Sequence, residues 1–335
     1  MSIKNKLSSS LLKKSDSYNH YKNKSEKLSK DLEQELKKLK KEFETYKRNN
    51  DKINESNNYL LNNLFTDYEL KPKGALKYMQ DLYIDLLDFY VNICEKHDLK
   101  YWLDYGNLLG AVRHGGFIPW DDDVDIGMMR TECIKFNEII DMEVKNYGLD
   151  DIISISKRRS IGNNRSLGFT QITIRENGSL YAGLDIFPCD YIINPTEDTE
   201  KQFKKAKKDY FKNLDDGMEK QEVIDIFYDE LGCSYDKQEF FLPSVEGEAG
   251  TKAYPLKIFK TDKVFPLKTI KYGKKYYSCP NDTKYYLTEL FGNEYMKIPP
   301  TIRHHTRIPH LKNQAGYEEN FKRFSERLKA VNNQF

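Results

Sequence analysis

Paired cysteines, long apolar runs and an excess of charge of either sign are all missing from this 335-residue chain. Its five cysteines, Cys94, Cys133, Cys189, Cys233 and Cys279, are odd in number and form no CxxC pair. That excludes a disulfide framework and a zinc-ribbon spacing, and it fits reduced thiols in a cytosol. No apolar run approaches the roughly 18 residues of a spanning helix, and the first residues lack the apolar core of a signal peptide. A cytoplasmic protein is expected, with contact at the inner face of a membrane left open. Lys and Arg number 54 against 52 Asp and Glu, for a net charge of +2, so nucleic acid is not an expected partner.

Proline and glycine are absent from residues 1–70. Within that stretch Leu32, Leu36, Leu39, Phe43, Tyr46, Ile53, Leu60 and Leu64 follow a 4-3 spacing, the seam of a heptad repeat, and the same register puts Asn50 and Asn57 at a positions. The spacing predicts a helix over about 26–64 that pairs with a second copy of itself into a homodimer. A single polar helix packed on its own domain is the alternative. Residues 1–25, with Ser8 to Ser10 and scattered lysines, read as disordered. Residues 26–71 read as the coiled coil, and Pro72 and Gly74 open a globular domain over 72–335. A hydrophobic content of 39% can supply a core there, while 32% charge and a mean hydropathy of −0.77 imply a large solvated part.

In the globular part, apolar residues from Leu76 to Cys94 recur at helical spacing opposite Asp81, Asp85, Asp88 and Glu95, predicting an amphipathic helix over 75–97. Strands are expected at 101–104, 124–128, 152–156, 169–175 and 184–187, and helices at 107–113, 131–147, 197–230, 282–291 and 317–331. A hairpin is expected at 269–278 and an exposed loop at 242–255, where glycines and prolines cluster. This order of elements predicts an α/β or α+β fold, a mixed sheet covered by helices.

The densest chemistry lies in YWLDYGNLLGAVRHGGFIPWDDDVDIGMMR, residues 101–130. Four aspartates, Asp121, Asp122, Asp123 and Asp125, fall within five positions beside apolar residues. Carboxylates this close repel unless a cation or strong donors neutralise them. On a strand, alternation turns Asp123 and Asp125 to one face and Val124 and Ile126 to the other. Oxygen-only ligation favours Mg²⁺, Mn²⁺ or Ca²⁺ over Zn²⁺. A calcium loop starting at Asp121 would place Glu132 at its last ligand position, but it needs glycine where Ile126 stands. Gly106 to Gly110 can bring backbone N–H groups to a phosphate at a helix start. Arg113 and His114 follow that short helix, and a second basic cluster, Arg303, His304, His305 and Arg307, could close over the same phosphates. Asp185 sits in an apolar strand context where a lone carboxylate would be costly, so it needs a partner; Asp190 is open between a structural and a functional role. Trp102, Tyr105 and Trp120 read as core more readily than as a cage for a quaternary ammonium.

The run LDYGNLLGAVRHGGFIPWDDDVDIG resembles the signature of the LicD/fukutin family, phosphotransferases with a nucleotidyltransferase-like fold. GLDIFPCD at 183–190 and LFGNEYMKIPP at 290–300 match the same family in the same order. Asn107 stands where many members have threonine. The resemblance implies a catalytic domain over 72–335 in which Asp123, Asp125 and Asp185 hold Mg²⁺ (or Mn²⁺), with Asp121 as an outer ligand. It implies that Gly106, Asn107, Gly110, Arg113, His114, Arg303 and His304 bind phosphate or nucleotide. The donor would be a CDP-linked alcohol and the acceptor a sugar hydroxyl on a surface glycan or glycolipid precursor, with CMP leaving. Transfer of the nucleotide itself, or a coiled-coil scaffold with an idle fold, are the rival readings.

Overall fold

The computed structural model describes residues 3–64, 70–162, 165–247, 255–299, 311 and 316–335. The chain forms two units, Met1–Tyr68 with Ile298–Thr301, and Glu69–Lys297 with Ile302–Phe335.

The first unit is one long helix, α1 (Ile3–Tyr59), closed by a π-helical turn at Leu60–Leu64. It starts at Ile3 rather than near 26, so the residues read as disordered are helical here; no proline or glycine interrupts them, and Leu and Lys among them propagate a helix. The α-helix also ends five residues before the expected limit of 64. Asn62 there exchanges two hydrogen bonds with the backbone of Ile298, donating to its carbonyl at 3.0 Å and accepting its N–H at 2.8 Å. Along the heptad seam, Leu32, Leu36, Leu39, Phe43, Tyr46 and Ile53 are each 54–70% exposed.

The second unit starts with α2 (Ala75–Lys96), whose Leu82, Leu86 and Tyr90 are fully buried, as the helical spacing predicts; Phe89 and Ile93 outside that stripe are buried too, and so are Asp85 and Asp88, expected on the polar face, where Ser325 and Tyr277 bond their carboxylates. Then come β1 (Trp102–Leu103), α3 (Tyr105–His114), β2 (Val124–Met129), α4 (Arg130–Asn146), β3 (Ile153–Ser156), β4 (Arg159–Gly162), β5 (Arg165–Leu167), β6 (Thr170–Glu176) and β7 (Ser179–Ile192). The helical pair α5 (Thr199–Asp215) and α6 (Lys220–Leu231) follows, with β8 (Cys233–Ser234), β9 (Phe240–Pro243) and β10 (Phe259–Lys260). The chain continues through α7 (Thr261–Val264), the hairpin β11 (Lys268–Tyr272) and β12 (Lys275–Cys279), α8 (Thr283–Phe291) and α9 (Tyr317–Asn332).

A mixed sheet of order β1-β2-β7-β6-β3 organises this unit. Strand β7 is its spine. Along one edge it pairs in parallel with β2 and, past the end of β2, antiparallel with β8; along the other, its first half pairs antiparallel with β6 and its second half with β9. The β6–β7 hairpin turns at Asn177 and Gly178, both with positive φ, the dipeptide a two-residue hairpin turn prefers. Only residues 184–187 of β7 are anticipated from sequence, because a spine strand buried on both faces shows no alternation. Helix α9 packs its Phe321, Phe324 and Leu328 on the α2 side of the main core.

Two expectations need correction. The helical stretch 197–230 is two helices, broken at Asp216 and Gly217, where glycine takes a φ of 85°. Residues 242–247 are not an exposed loop: β9 runs to Pro243, and Leu242, Val245 and Glu246 are at most 3% exposed, whereas Pro255 is exposed. Glu246 is buried because two guanidinium groups meet it, Arg130 at 3.2 Å and Arg158 at 2.5 Å.

Candidate active site

The site forms where β2 and β7 run side by side. Asp125 and Asp185 are direct register partners on these parallel strands, so both side chains leave the sheet on the same face. The opposite face carries Val124, Ile126, Leu184 and Ile186, all fully buried. The alternation expected at 123–126 and the lone carboxylate at 185 thus meet at one place. Gln171 on β6, itself the partner of Asp185 across the other ladder, donates to Asp185 Oδ1 at 2.8 Å and fixes the carboxyl's orientation.

Burial, then Asp123 and Asp185, hold the Asp125 carboxyl well above the usual carboxylate range. Asp121 is raised in the same way, by burial and by Asp123, with which it also shares a hydrogen bond. Asp121 approaches the start of α3 closely: a Cβ on Gly106 would lie 2.8 Å from Asp121 Oδ2. A side chain at 106 would therefore make the Asp121 carboxyl shift.

Asn107 is 1% exposed. Its Oδ1 accepts the Asp125 N–H at 2.6 Å and its Nδ2 donates to the Tyr272 hydroxyl at 3.0 Å. The amide holds β2 against α3 and the β11–β12 hairpin, so Asn107 positions Asp125. Gly110 is also a packing residue: a Cβ there would fall 2.4 Å from the Gly116 carbonyl oxygen. Asp104 organises the start of α3. Asp104 Oδ1 caps the Tyr105 N–H at 2.8 Å, and the Asp104 carbonyl takes the N–H groups of Asn107 and Leu108.

Arg113 directs Nη1 to the carbonyls of Tyr295 and Lys297, at 2.9 and 3.0 Å, and Nε to His114 Nε2 at 2.9 Å. It ties the end of α3 to the 295–297 segment, close enough to Asp121 to feel its charge. Burial and Arg113 push the His114 imidazole down to about 4, so it is neutral at pH 7 and brings no charge to a phosphate. Its ring stands edge-on to Trp120. Arg303 and His304 lie outside the described residues, as do His305 and Arg307. Asp190 is settled by a bidentate ion pair with Arg130, at 2.8 and 2.7 Å, away from the carboxylate group.

Tyr286 carries no sequence signal of a role here, and it joins Trp102 to Asp104. Trp102, fully buried over Gly127, donates to the Tyr286 hydroxyl at 3.1 Å, and that hydroxyl donates to Asp104 Oδ2 at 3.1 Å. Burial pushes the Asp104 carboxyl up to about 7, partly offset by the Tyr105 N–H and the Tyr286 hydroxyl. The cap role of Asp104 is readable from its place before a helix; its link to Trp102 and Tyr286, some 180 residues apart in sequence, is not. Tyr105 has a φ of 39°, an unusual left-handed conformation for a non-glycine residue, and its ring meets Phe187 edge-on beside the carboxylate face.

Among the described residues no three His, Cys, Asp or Glu side chains already stand as a closed ligand set around one point. The donor chemistry nonetheless suits a hard divalent cation: buried oxygen ligands of like charge that raise one another's pKa.

A helix-covered mixed sheet with carboxylates gathered at two neighbouring parallel strands defines the nucleotidyltransferase-like class of fold. Residues 98–216 match the family described as LicD/FKTN/FKRP, nucleotidyltransferase domain. Lipopolysaccharide cholinephosphotransferase LicD of Haemophilus influenzae is 34% identical over 128 residues, 36% of this chain and 47% of that protein. An uncharacterized protein of Rickettsia typhi is 42% identical over 73 residues, 22% of each chain. Human ribitol 5-phosphate transferase FKRP is 52% identical over 40 residues, 12% of this chain and 8% of its own length. The chain thus spans less than half the length of these relatives.

Proposed function

We propose that this protein is a metal-dependent phosphotransferase that moves a phospho-alcohol (phosphocholine, glycerol phosphate or ribitol phosphate) from a CDP-linked donor to a sugar hydroxyl of a cell-surface glycan or its lipid-linked precursor, with CMP as leaving group. The observation that carries the reading is the in-register pair Asp125 and Asp185 on adjacent parallel strands, with Asp121 and Asp123 hydrogen-bonded beside them. The similarity to a cholinephosphotransferase and a ribitol phosphate transferase supports the class of group transferred.

Asp123, Asp125 and Asp185 would hold Mg²⁺ or Mn²⁺, with Asp121 as an outer partner. The bound ion would polarise the donor diphosphate and offset charge accumulating on the phosphoryl oxygens. Asp185, oriented by Gln171, would serve either as a ligand of the ion or as the group that takes the proton of the attacking sugar hydroxyl. Asn107 and Tyr272 keep the Asp125 backbone in register with the spine strand while this happens. Arg113 holds the 295–297 segment over the end of α3, and Arg303 and His304, which follow it in sequence, would bring positive charge to the donor's phosphates. A homodimer through α1, in the cytoplasm or at the inner face of a membrane, completes the reading. No helix among the described residues is long and apolar enough to cross a membrane.

The test is to incubate the protein with Mg²⁺, a glycan acceptor, and CDP-choline, CDP-glycerol or CDP-ribitol in turn. Release of CMP with the phospho-alcohol on the acceptor is expected for one donor. A nucleotidylated acceptor, or no product with any donor, overturns the proposal.

A further inference from the structure

We infer that the exposed seam of α1 is the contact surface for a second copy of this chain, running parallel and in register with the first. This deepens the homodimer of the proposed function by fixing its orientation, and it holds whichever group the catalytic unit transfers. The seam places Leu32, Leu39, Tyr46 and Ile53 at d and Leu36, Phe43, Asn50 and Asn57 at a. Its six apolar side chains remain 54–70% exposed, an apolar stripe about 30 Å long that no described residue covers. About four heptads are enough for two helices to wind together.

Charge decides which way the partner runs. Flanking the seam, Glu35 and Glu42 occupy g and Lys40 and Lys47 occupy e. In a parallel, in-register pair each g residue faces the e residue five positions on in the other chain, so Glu35 meets Lys40 and Glu42 meets Lys47, on both sides of the seam. An antiparallel pair sets g against g and e against e, which brings glutamate to glutamate and lysine to lysine. Within its own helix Glu42 reaches Lys38 at 3.9 Å between exposed groups, a contact too weak to compete. The two asparagines act in the same direction. At a positions they can satisfy each other's amides only when the helices are two, parallel and unshifted, and they penalise other registers by leaving an amide unpaired.

The full-length protein provides the test. Sedimentation equilibrium is expected to show a dimer, and Leu32→Cys is expected to form an interchain disulfide on oxidation that the unsubstituted chain does not. An antiparallel pairing of the same stretch would hold the two introduced thiols about 30 Å apart. Glu35→Lys with Glu42→Lys should raise the dimer Kd about thirtyfold, which is about 2 kcal/mol over four interchain pairs. Adding Lys40→Glu and Lys47→Glu should restore it. A monomer, or a trimer or tetramer, overturns the two-stranded surface. A dimer in which the Leu32→Cys variant forms no interchain disulfide, or that ignores the charge reversal, overturns the parallel register. None of these readouts depends on catalysis.

Discussion

Asp185→Asn separates the electrostatics of the site from its shape. Asparagine Oδ1 can keep the 2.8 Å hydrogen bond from Gln171, so the substitution removes a charge while leaving the packing nearly untouched. Asp185 and Asp125 are opposite one another on adjacent strands, about 4.8 Å apart. At an effective dielectric near 20, two full charges at that spacing repel by roughly 3 kcal/mol. Part of this is already relieved, because burial and the neighbouring carboxylates raise the Asp125 pKa and favour a shared proton. About 2 kcal/mol then remains to be released, so the metal-free variant should be more stable than the parent, with a Tm higher by about 5 °C. With excess Mg²⁺ or Mn²⁺ the order should reverse. The parent gains stability by binding the ion and the variant gains little. Differential scanning calorimetry at about pH 7.5, in EDTA and in millimolar metal, measures both effects. A lower Tm for the variant in EDTA, or an equal metal-induced rise in the two proteins, would refute the argument that these carboxylates repel one another until a cation arrives.

Three further substitutions probe the frame around the site. Gly127→Ala places a methyl group 2.2 Å from the Trp102 indole, which is fully buried and cannot yield, so urea unfolding should show a loss of about 1–3 kcal/mol; a neutral result would mean Trp102 is not packed on β2. Asn107→Ala strands the Asp125 N–H and the Tyr272 hydroxyl, and should cost about 2 kcal/mol of stability and weaken metal affinity together; loss of one without the other would separate Asn107 from Asp125. Glu143, 2% exposed, is pushed up by burial, yet hydrogen bonds from Lys96 and His97 more than offset this and leave its carboxyl below the ordinary 4.5. A depressed carboxylate contributes stability above its unfolded pKa and loses it as pH falls through the folded one. The parent should therefore lose more stability than Glu143→Gln between about pH 5 and pH 3 in urea titrations, and parallel curves would contradict the assignment.

The acidic strand is legible in the sequence because clustered charge and period-2 alternation are local signals: Asp123 and Asp125 alternate with Val124 and Ile126 within four residues. Asp185 is legible for a related reason, a carboxylate in an apolar strand that must find a partner. The basic and glycine residues are less so. Gly106 and Gly110 invite a phosphate reading, and only the folded chain shows the Asp121 carboxyl and the Gly116 backbone arriving beside them, the latter so close that Gly110 admits no side chain. Arg113 and His114 carry the right chemistry for an anion, yet their neighbours decide their state: two carbonyls engage the guanidinium, and that guanidinium with burial keeps the imidazole neutral. The buried stretch around Glu246 looks like an exposed loop in sequence because its glycines signal turns, while the arginines that bury it come from 130 and 158.

By itself the sequence determined the helix-covered mixed sheet, the long N-terminal helix with its heptad seam, and the identity of the acidic residues, since each depends on the periodicity or composition of a short segment. The tertiary structure alone decided that β7 is the spine, that Asp125 and Asp185 stand in register, and that Asn107, Tyr272, Gln171 and Trp102 support them. Those facts depend on which residues meet across 14 to 184 positions of chain, and contacts at that separation leave no local pattern to read.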